Sequence, residues 1–331
     1  MVATTWTVAV TRRIPEAGIR PLRDVAEVRI WEEELPPSPD QLVALLADCD
    51  GAITLLTDQI DGALLDRVPS LRVVSNFAVG YDNIDVAAGT ERGVLVCNTP
   101  GVLTEATADF TWALLLAAAR RIPESVDYVH EGRWQTWGPT LLLGQDVSGA
   151  TLGVVGLGRI GKEVALRAGG FGMRVLAYDP VPDEVFAKEH GVAYVPLDDL
   201  LDESDFVTLH VALTPETEHL IGTPELARMK PTAVLVNASR GPVVDTEALV
   251  AALEDGEIFA AALDVTDPEP LPADHPLVSM PNCIVVPHTA SATVQARDRM
   301  ARLAADNLLA GLRGERPPAS VNADEVLGAN R

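Results

Sequence analysis

The chain predicts an α/β protein made of two doubly wound parallel-sheet domains, and three observations carry that reading. Short apolar runs alternate with helical stretches along most of its 331 residues, the order expected when each strand needs a crossover before a parallel neighbour can pair. A glycine turn, Gly156-Leu157-Gly158-Arg159-Ile160-Gly161, stands between a strand-like run and a helical pattern. The run 174–178 then ends in Asp179, which completes the strand, turn, helix, strand and acid of a Rossmann unit.

Each element has a local reason. Residues 7–11, 27–31, 51–55, 73–76 and 94–97 are short runs rich in apolar and β-branched residues and read as strands; residues 39–48 and 62–68 between them read as helices. Asn98-Thr99-Pro100-Gly101 breaks the pattern. A long apolar helix follows over 102–121, with Glu105 and Asp109 early and Arg120 and Arg121 late, as the helix dipole prefers. Residues 131–149 are turn-rich, carry Trp134, Trp137 and Pro139, and read as an arm. Alternation resumes with a strand at 151–155, a helix over 159–170 and strands at 206–210, 233–237, 260–264 and 284–287. Asp245 caps a helix over 246–253, and a helix over 292–312 returns to the first domain before the chain closes at Pro317-Pro318. The expected division is a flavodoxin-like domain of 1–100 with 289–331, and a Rossmann domain of 101–288.

Composition narrows the partners. With 47% hydrophobic and 22% charged residues the chain has the balance of an ordinary globular enzyme. A net charge of −23 argues against nucleic acid or an anionic membrane as partner. The apolar run 112–119 is too short to span a bilayer, and the opening residues lack a signal-peptide pattern. Cys49, Cys97 and Cys283 are scattered, which suggests neither a disulfide framework nor a metal cluster and fits a reducing cytoplasm.

The glycine turn assigns a cofactor. Gly156 permits the tight turn, Gly158 lets the backbone approach a pyrophosphate, and Gly161 lets the helix pack on its strand. The amides of Arg159 and Ile160 lie at the helix start, where unpaired N–H groups favour an anion. Asp179 is placed to accept from the ribose hydroxyls and to repel a 2′-phosphate. Pro180 follows it and no Arg stands beside it, so NAD is expected rather than NADP.

Three later segments end strands and carry polar groups: Asn237-Ala238-Ser239-Arg240, Asp264 through Glu269, and Pro287-His288. The carboxyl ends of strands line the ligand crevice of such a sheet. With the glycine turn and the stretches 76–85, 98–108 and 210–221, these segments make the chain resemble the D-isomer-specific 2-hydroxyacid dehydrogenases over essentially its whole length, in the glyoxylate/hydroxypyruvate reductase branch. Thr289-Ala290 departs from the Ile-Gly pair usual there.

The resemblance implies roles. His288 would be the general acid when a keto acid is reduced, a task that suits imidazole near neutral pH. Glu269 would pair with His288 and orient it. Arg240 would hold the substrate carboxylate or polarise its carbonyl. The backbone amides of Val79 and Gly80 would bind that carboxylate too. Asp264 would anchor the nicotinamide carboxamide, although its position also suits the holding of a local turn. Trp137 would reach a partner subunit's pocket or pack in the interface of a homodimer, which the resemblance also implies. A phosphoglycerate dehydrogenase is disfavoured because residues 54–61 offer Asp58 and Asp61 and no base for a phosphate. An NAD-sensing protein similar to the C-terminal-binding corepressors shares the triad, and turnover separates it from an enzyme.

Overall fold

The computed structural model describes residues Trp6–Gly328. The chain divides into two units, one of residues 1–103 with 292–331 and the other of Thr104–Ser291.

The first unit holds β1 (Trp6–Val10), β2 (Ala26–Ile30), β3 (Gly51–Thr54), β4 (Val73–Asn76) and β5 (Leu95–Cys97). Their order, β2-β1-β3-β4-β5, is parallel throughout and is the flavodoxin-like order. Every residue of β3 and β4 is buried, which explains why both strands read as continuous rather than alternating runs. The helix Val294–Leu312 is capped by Thr293, which accepts from the Ala296 N–H at 3.1 Å. It packs on the helix Glu16–Arg23 so closely that a Cβ on Gly18 would lie 2.5 Å from the Ala301 carbonyl oxygen.

The second unit holds β6 (Thr151–Val155), β7 (Arg174–Tyr178), β8 (Val192–Tyr194), β9 (Phe206–Leu209), β10 (Val234–Asn237), β11 (Ala260–Leu263) and β12 (Cys283–Val285). The order β12-β11-β10-β9-β6-β7-β8 is the Rossmann order with one added strand. It reverses between β6 and β9, so the ligand crevice of this sheet lies where those two strands end. The helix Thr104–Ala119 buries Ala108, Trp112, Leu115 and Ala119 in one core with Val154, Val236 and Ala262. Trp112 fixes its neighbour helix by donating from Nε1 to the Val164 carbonyl at 3.1 Å and stacks on Phe171 at 4.9 Å.

Two parallel-sheet domains are thus present, as the alternation predicts. Several elements differ from their sequence reading. The helices Glu16–Arg23, Val86–Glu91 and Ile122–His130 and the strand β8 carry weaker signals. Pro21 lies inside the first of these helices, and the third starts after Arg121 in a left-handed conformation at φ 50°. Among the described residues no helix is long and apolar enough to cross a membrane.

Candidate active site

The glycine turn leaves β6 and enters the helix Arg159–Ala168. Gly156 has φ +91°, and a Cβ there would meet the His210 carbonyl carbon at 2.8 Å. Gly161 packs so tightly that a Cβ would lie 2.1 Å from the Gly156 oxygen. Gly158 is different: a Cβ on it would meet nothing within 4 Å. It caps the helix with no side-chain bond, so the first amides of that helix keep their unpaired donors. A backbone that can be approached, open space beside it and unpaired helix-start amides are what a dinucleotide pyrophosphate requires. The Asp179 carboxylate, at the end of β7, accepts from the Leu157 N–H at 2.8 Å and the Val181 N–H at 2.9 Å. It is thereby pinned to the turn.

At the end of β9 stands His210, whose Nε2 lies 2.9 Å from the Thr208 hydroxyl while its buried Nδ1 has no partner. Burial pushes this imidazole down to about 3. It is neutral near pH 7, which suits packing rather than proton donation.

Arg240 follows β10. Asn237 shapes that turn: its Nδ2 donates to the Arg240 carbonyl at 2.8 Å, and its Oδ1 accepts from the Ser239 amide and hydroxyl at 3.0 and 2.8 Å. The guanidinium donates from Nη1 to the Ser239 carbonyl at 2.8 Å. Gly241 brings this turn against the loop after β11, where a Cβ would lie 1.9 Å from the Thr266 oxygen. In the sequence Asn237 and Gly241 carry little mark of a working part. Their signal was only a polar residue ending an apolar strand and a glycine after an arginine.

Glu269 sits on that loop, and His288 follows β12. The His288 Nδ1 and the Glu269 Oε1 are 2.6 Å apart. A carboxylate can only accept, so Nδ1 carries the proton and Nε2 is left to face outward chemistry. Burial would raise the Glu269 carboxyl, but its bond to His288, the His288 charge, the Thr266 backbone and the Arg240 charge outweigh burial and hold it below the usual range. Glu269 thus pairs with His288 and feels the Arg240 charge, the three residues following β11, β12 and β10 respectively. His288 also has φ +52°, a left-handed conformation that costs a non-glycine residue energy and is held by its surroundings.

Asp264 supplies much of that hold. Its carbonyl accepts from the His288 N–H at 2.8 Å. Its carboxylate, on a residue only 1% exposed, accepts from Thr289 N–H at 2.6 Å and Ala290 N–H at 3.0 Å. Burial raises its carboxyl pKa, with those two amides opposing the rise. The turn-holding alternative is what the geometry displays, and Thr289-Ala290 forms the held turn. Val79 and Gly80 lie in the first unit, in the turn after β4. Among the described residues no cluster of three or more His, Cys, Asp or Glu side chains could hold a metal ion.

Comparison with known proteins agrees with this geometry. The family profile described as D-isomer specific 2-hydroxyacid dehydrogenase, NAD binding domain, matches residues 112–290. A glyoxylate reductase of Korarchaeum cryptofilum is 54% identical over 320 residues, covering 96% of each chain. A protein of Thermus thermophilus has a solved structure that superposes with a TM-score of 0.90 at 46% identity, covering 95% of this chain and 99% of that one. The NADPH-dependent glyoxylate/hydroxypyruvate reductase of Sinorhizobium meliloti, solved with NADP and malonate, gives a TM-score of 0.86 at 34% identity over 96% and 97% of the two chains.

Proposed function

Because the chain belongs to the D-isomer-specific 2-hydroxyacid dehydrogenase family, we propose that this oxidoreductase reduces glyoxylate or hydroxypyruvate to the D-2-hydroxy acid, with His288 as the proton donor. The observation that carries the reading is the 2.6 Å pairing of the His288 Nδ1 with the Glu269 carboxylate. It orients the ring and leaves Nε2 as the atom that gives its proton to the developing alkoxide. A Glu269 held below the usual carboxylate range stays ionised near neutral pH and keeps accepting from the His288 ring. Arg240 binds the substrate carboxylate or polarises its carbonyl, with the positive charge placed where negative charge develops.

The second unit's glycine turn and Asp179 are the residues that would hold the cofactor. Gly156, Gly158 and Gly161 shape the turn, the amides of Arg159 and Ile160 serve the pyrophosphate, and Asp179 serves the ribose. Asp264 would anchor the nicotinamide carboxamide in addition to holding the Thr289-Ala290 turn. When bound, the nicotinamide supplies the hydride that the carbonyl carbon accepts. The backbone amides of Val79 and Gly80 take the substrate carboxylate, which makes residues 1–100 with 289–331 the substrate domain.

NAD is favoured over NADP. Asp179 is an anion fixed against the phosphate turn, and Pro180 and Val181 offer no charge to a 2′-phosphate. A homodimer in the cytoplasm fits the three free thiols and the apolar arm, on which Trp137 is 79% exposed. The test is a panel of 2-keto acids assayed by NADH absorbance. Fast turnover of glyoxylate or hydroxypyruvate is expected; slow turnover of every acid tried would overturn the reading in favour of an NAD sensor. The same assay with NADPH should give a lower kcat/KM, and equal values would defeat the role given to Asp179.

A further inference from the structure

The turn Ala78-Val79-Gly80 has all three of its carbonyls taken from behind. The Ala78 oxygen accepts from the Thr99 N–H at 2.7 Å, the Val79 oxygen from the Asn98 Nδ2 at 2.7 Å and the Gly80 oxygen from the Asn76 Nδ2 at 2.9 Å. Among the described residues neither the Val79 nor the Gly80 N–H has an acceptor. A trans peptide is planar, so its C=O and the next N–H point opposite ways. Fixing the Ala78 oxygen aims the Val79 N–H, and fixing the Val79 oxygen aims the Gly80 N–H.

The polarity of this arrangement is set by a chain of carboxamides. The Asn83 Nδ2 donates to the Leu55 and Asp58 carbonyls at 3.0 and 2.8 Å. Its Oδ1 must therefore face Asn76, from whose Nδ2 it accepts at 3.1 Å. The Asn76 Oδ1 is turned to the Thr54 hydroxyl at 3.2 Å, and its remaining N–H reaches Gly80. Asn76 is fully buried and Asn83 nearly so, and a buried amide that is reversed would oppose like groups at every contact.

We propose that Asn76 and Asn98, with Asn83 setting the orientation of Asn76, are positioning residues that preorganise the Val79 and Gly80 amides as the anion-binding turn for the substrate carboxylate. This rests on the carboxylate role given to those amides above. The asparagines touch no reacting atom. Losing them lets the turn relax and weakens ground-state and transition-state binding of the carboxylate together, which raises KM and leaves kcat.

The test measures steady-state kinetics with glyoxylate, competitive inhibition by oxalate and NADH binding by fluorescence for Asn98→Ala and Asn76→Ala. KM and the oxalate Ki should each rise about tenfold, as expected for the loss of an anion site worth one good hydrogen bond. kcat and the NADH Kd should stay within about threefold, as a uniform-binding loss requires. Asn98→Gln, which keeps a donor, should recover part of the loss. Gly80→Pro removes one of the aimed N–H groups and tests the carboxylate role itself. If Gly80→Pro leaves KM unchanged, that role fails and the proposal falls with it. If Gly80→Pro raises KM while both asparagine variants leave it alone, only the positioning proposal is overturned. A parallel fall in kcat, NADH affinity and melting temperature would also overturn it, since that is a merely structural effect. Should Asn76→Ala fail to fold, Asn83→Ser is expected to give the same split between KM and kcat with smaller size, and its failure to do so counts against the proposal.

Discussion

At the residue scale the proposed chemistry turns on one imidazole paired with one carboxylate. His288→Ala should lower kcat by about 10²- to 10⁴-fold, the range of a lost general acid, with NADH binding by fluorescence little changed. Normal turnover would remove His288 from the proton path. Glu269 has its folded pKa depressed, with burial opposed and outweighed by His288. Such a group contributes stability that is present above its ordinary carboxyl pKa and is lost as pH falls through the depressed value. Glu269→Gln should therefore flatten part of the acid limb of stability, measured by urea unfolding from neutral pH down to pH ~3.

His210 gives a second acid-side effect. Its ordinary pKa of 6.5 falls to about 3 in the folded chain because of burial, so the unfolded chain binds the proton more tightly. Stability is full above 6.5 and declines as pH drops from there through about 3. His210→Gln should reduce the dependence of the urea midpoint on pH in that window; an unchanged slope would show that the ring is not buried neutral.

At the element scale, close backbone approach decides whether the site assembles. The turn after β10 and the loop after β11 touch at Gly241, where a Cβ would lie 1.9 Å from the Thr266 oxygen. The neighbour is backbone, so Gly241→Ala must move the loop that carries Glu269. The expected outcome is a drop in kcat of about tenfold or more, since small misplacements at a reacting centre are costly, together with a lower melting temperature by calorimetry. Unchanged kinetics would mean that this contact does not place Glu269. The cap of the helix Thr246–Glu254 is a simpler case: Asp245 accepts from the Ala248 N–H at 3.1 Å. Its loss in Asp245→Ala should cost about 1 kcal/mol, well short of a core truncation.

At the scale of the whole molecule, the exposed apolar surface of the arm calls for a covering surface. Val126 and Val129 on the helix Ile122–His130, and Trp134, Trp137 and Leu143 after it, are all exposed. Exposed apolar side chains gathered along one segment suit an association site, and a second copy of the chain is the occupant proposed above. Val126→Glu with Val129→Glu should convert a dimer to a monomer in sedimentation. A wild-type monomer at micromolar concentration would refute the homodimer. A net charge of −23 gives any pair of copies a long-range repulsion that salt screens, so association should strengthen with added salt.

The sequence by itself determined what local physics determines. The glycines at 156 and 161 cannot bear a Cβ, Asp179 follows its strand, and the strands are short runs rich in apolar and β-branched residues. His288 and Glu269, proposed above as the acid and its partner, were legible because each follows the carboxyl end of a strand in the nucleotide-binding sheet. The tertiary structure alone decided which groups those side chains meet. Asp264 is committed to two amides some twenty-five residues away, and Asn83 and Asn98 find their partners across separate turns. A buried carboxylate or carboxamide takes whatever donors and acceptors the packed loops present. That set is fixed by the approach of distant backbone, which no local pattern encodes. The helix Glu16–Arg23 was hidden for a related reason: its place depends on the glycine contact with Ala301, which outweighs an internal proline.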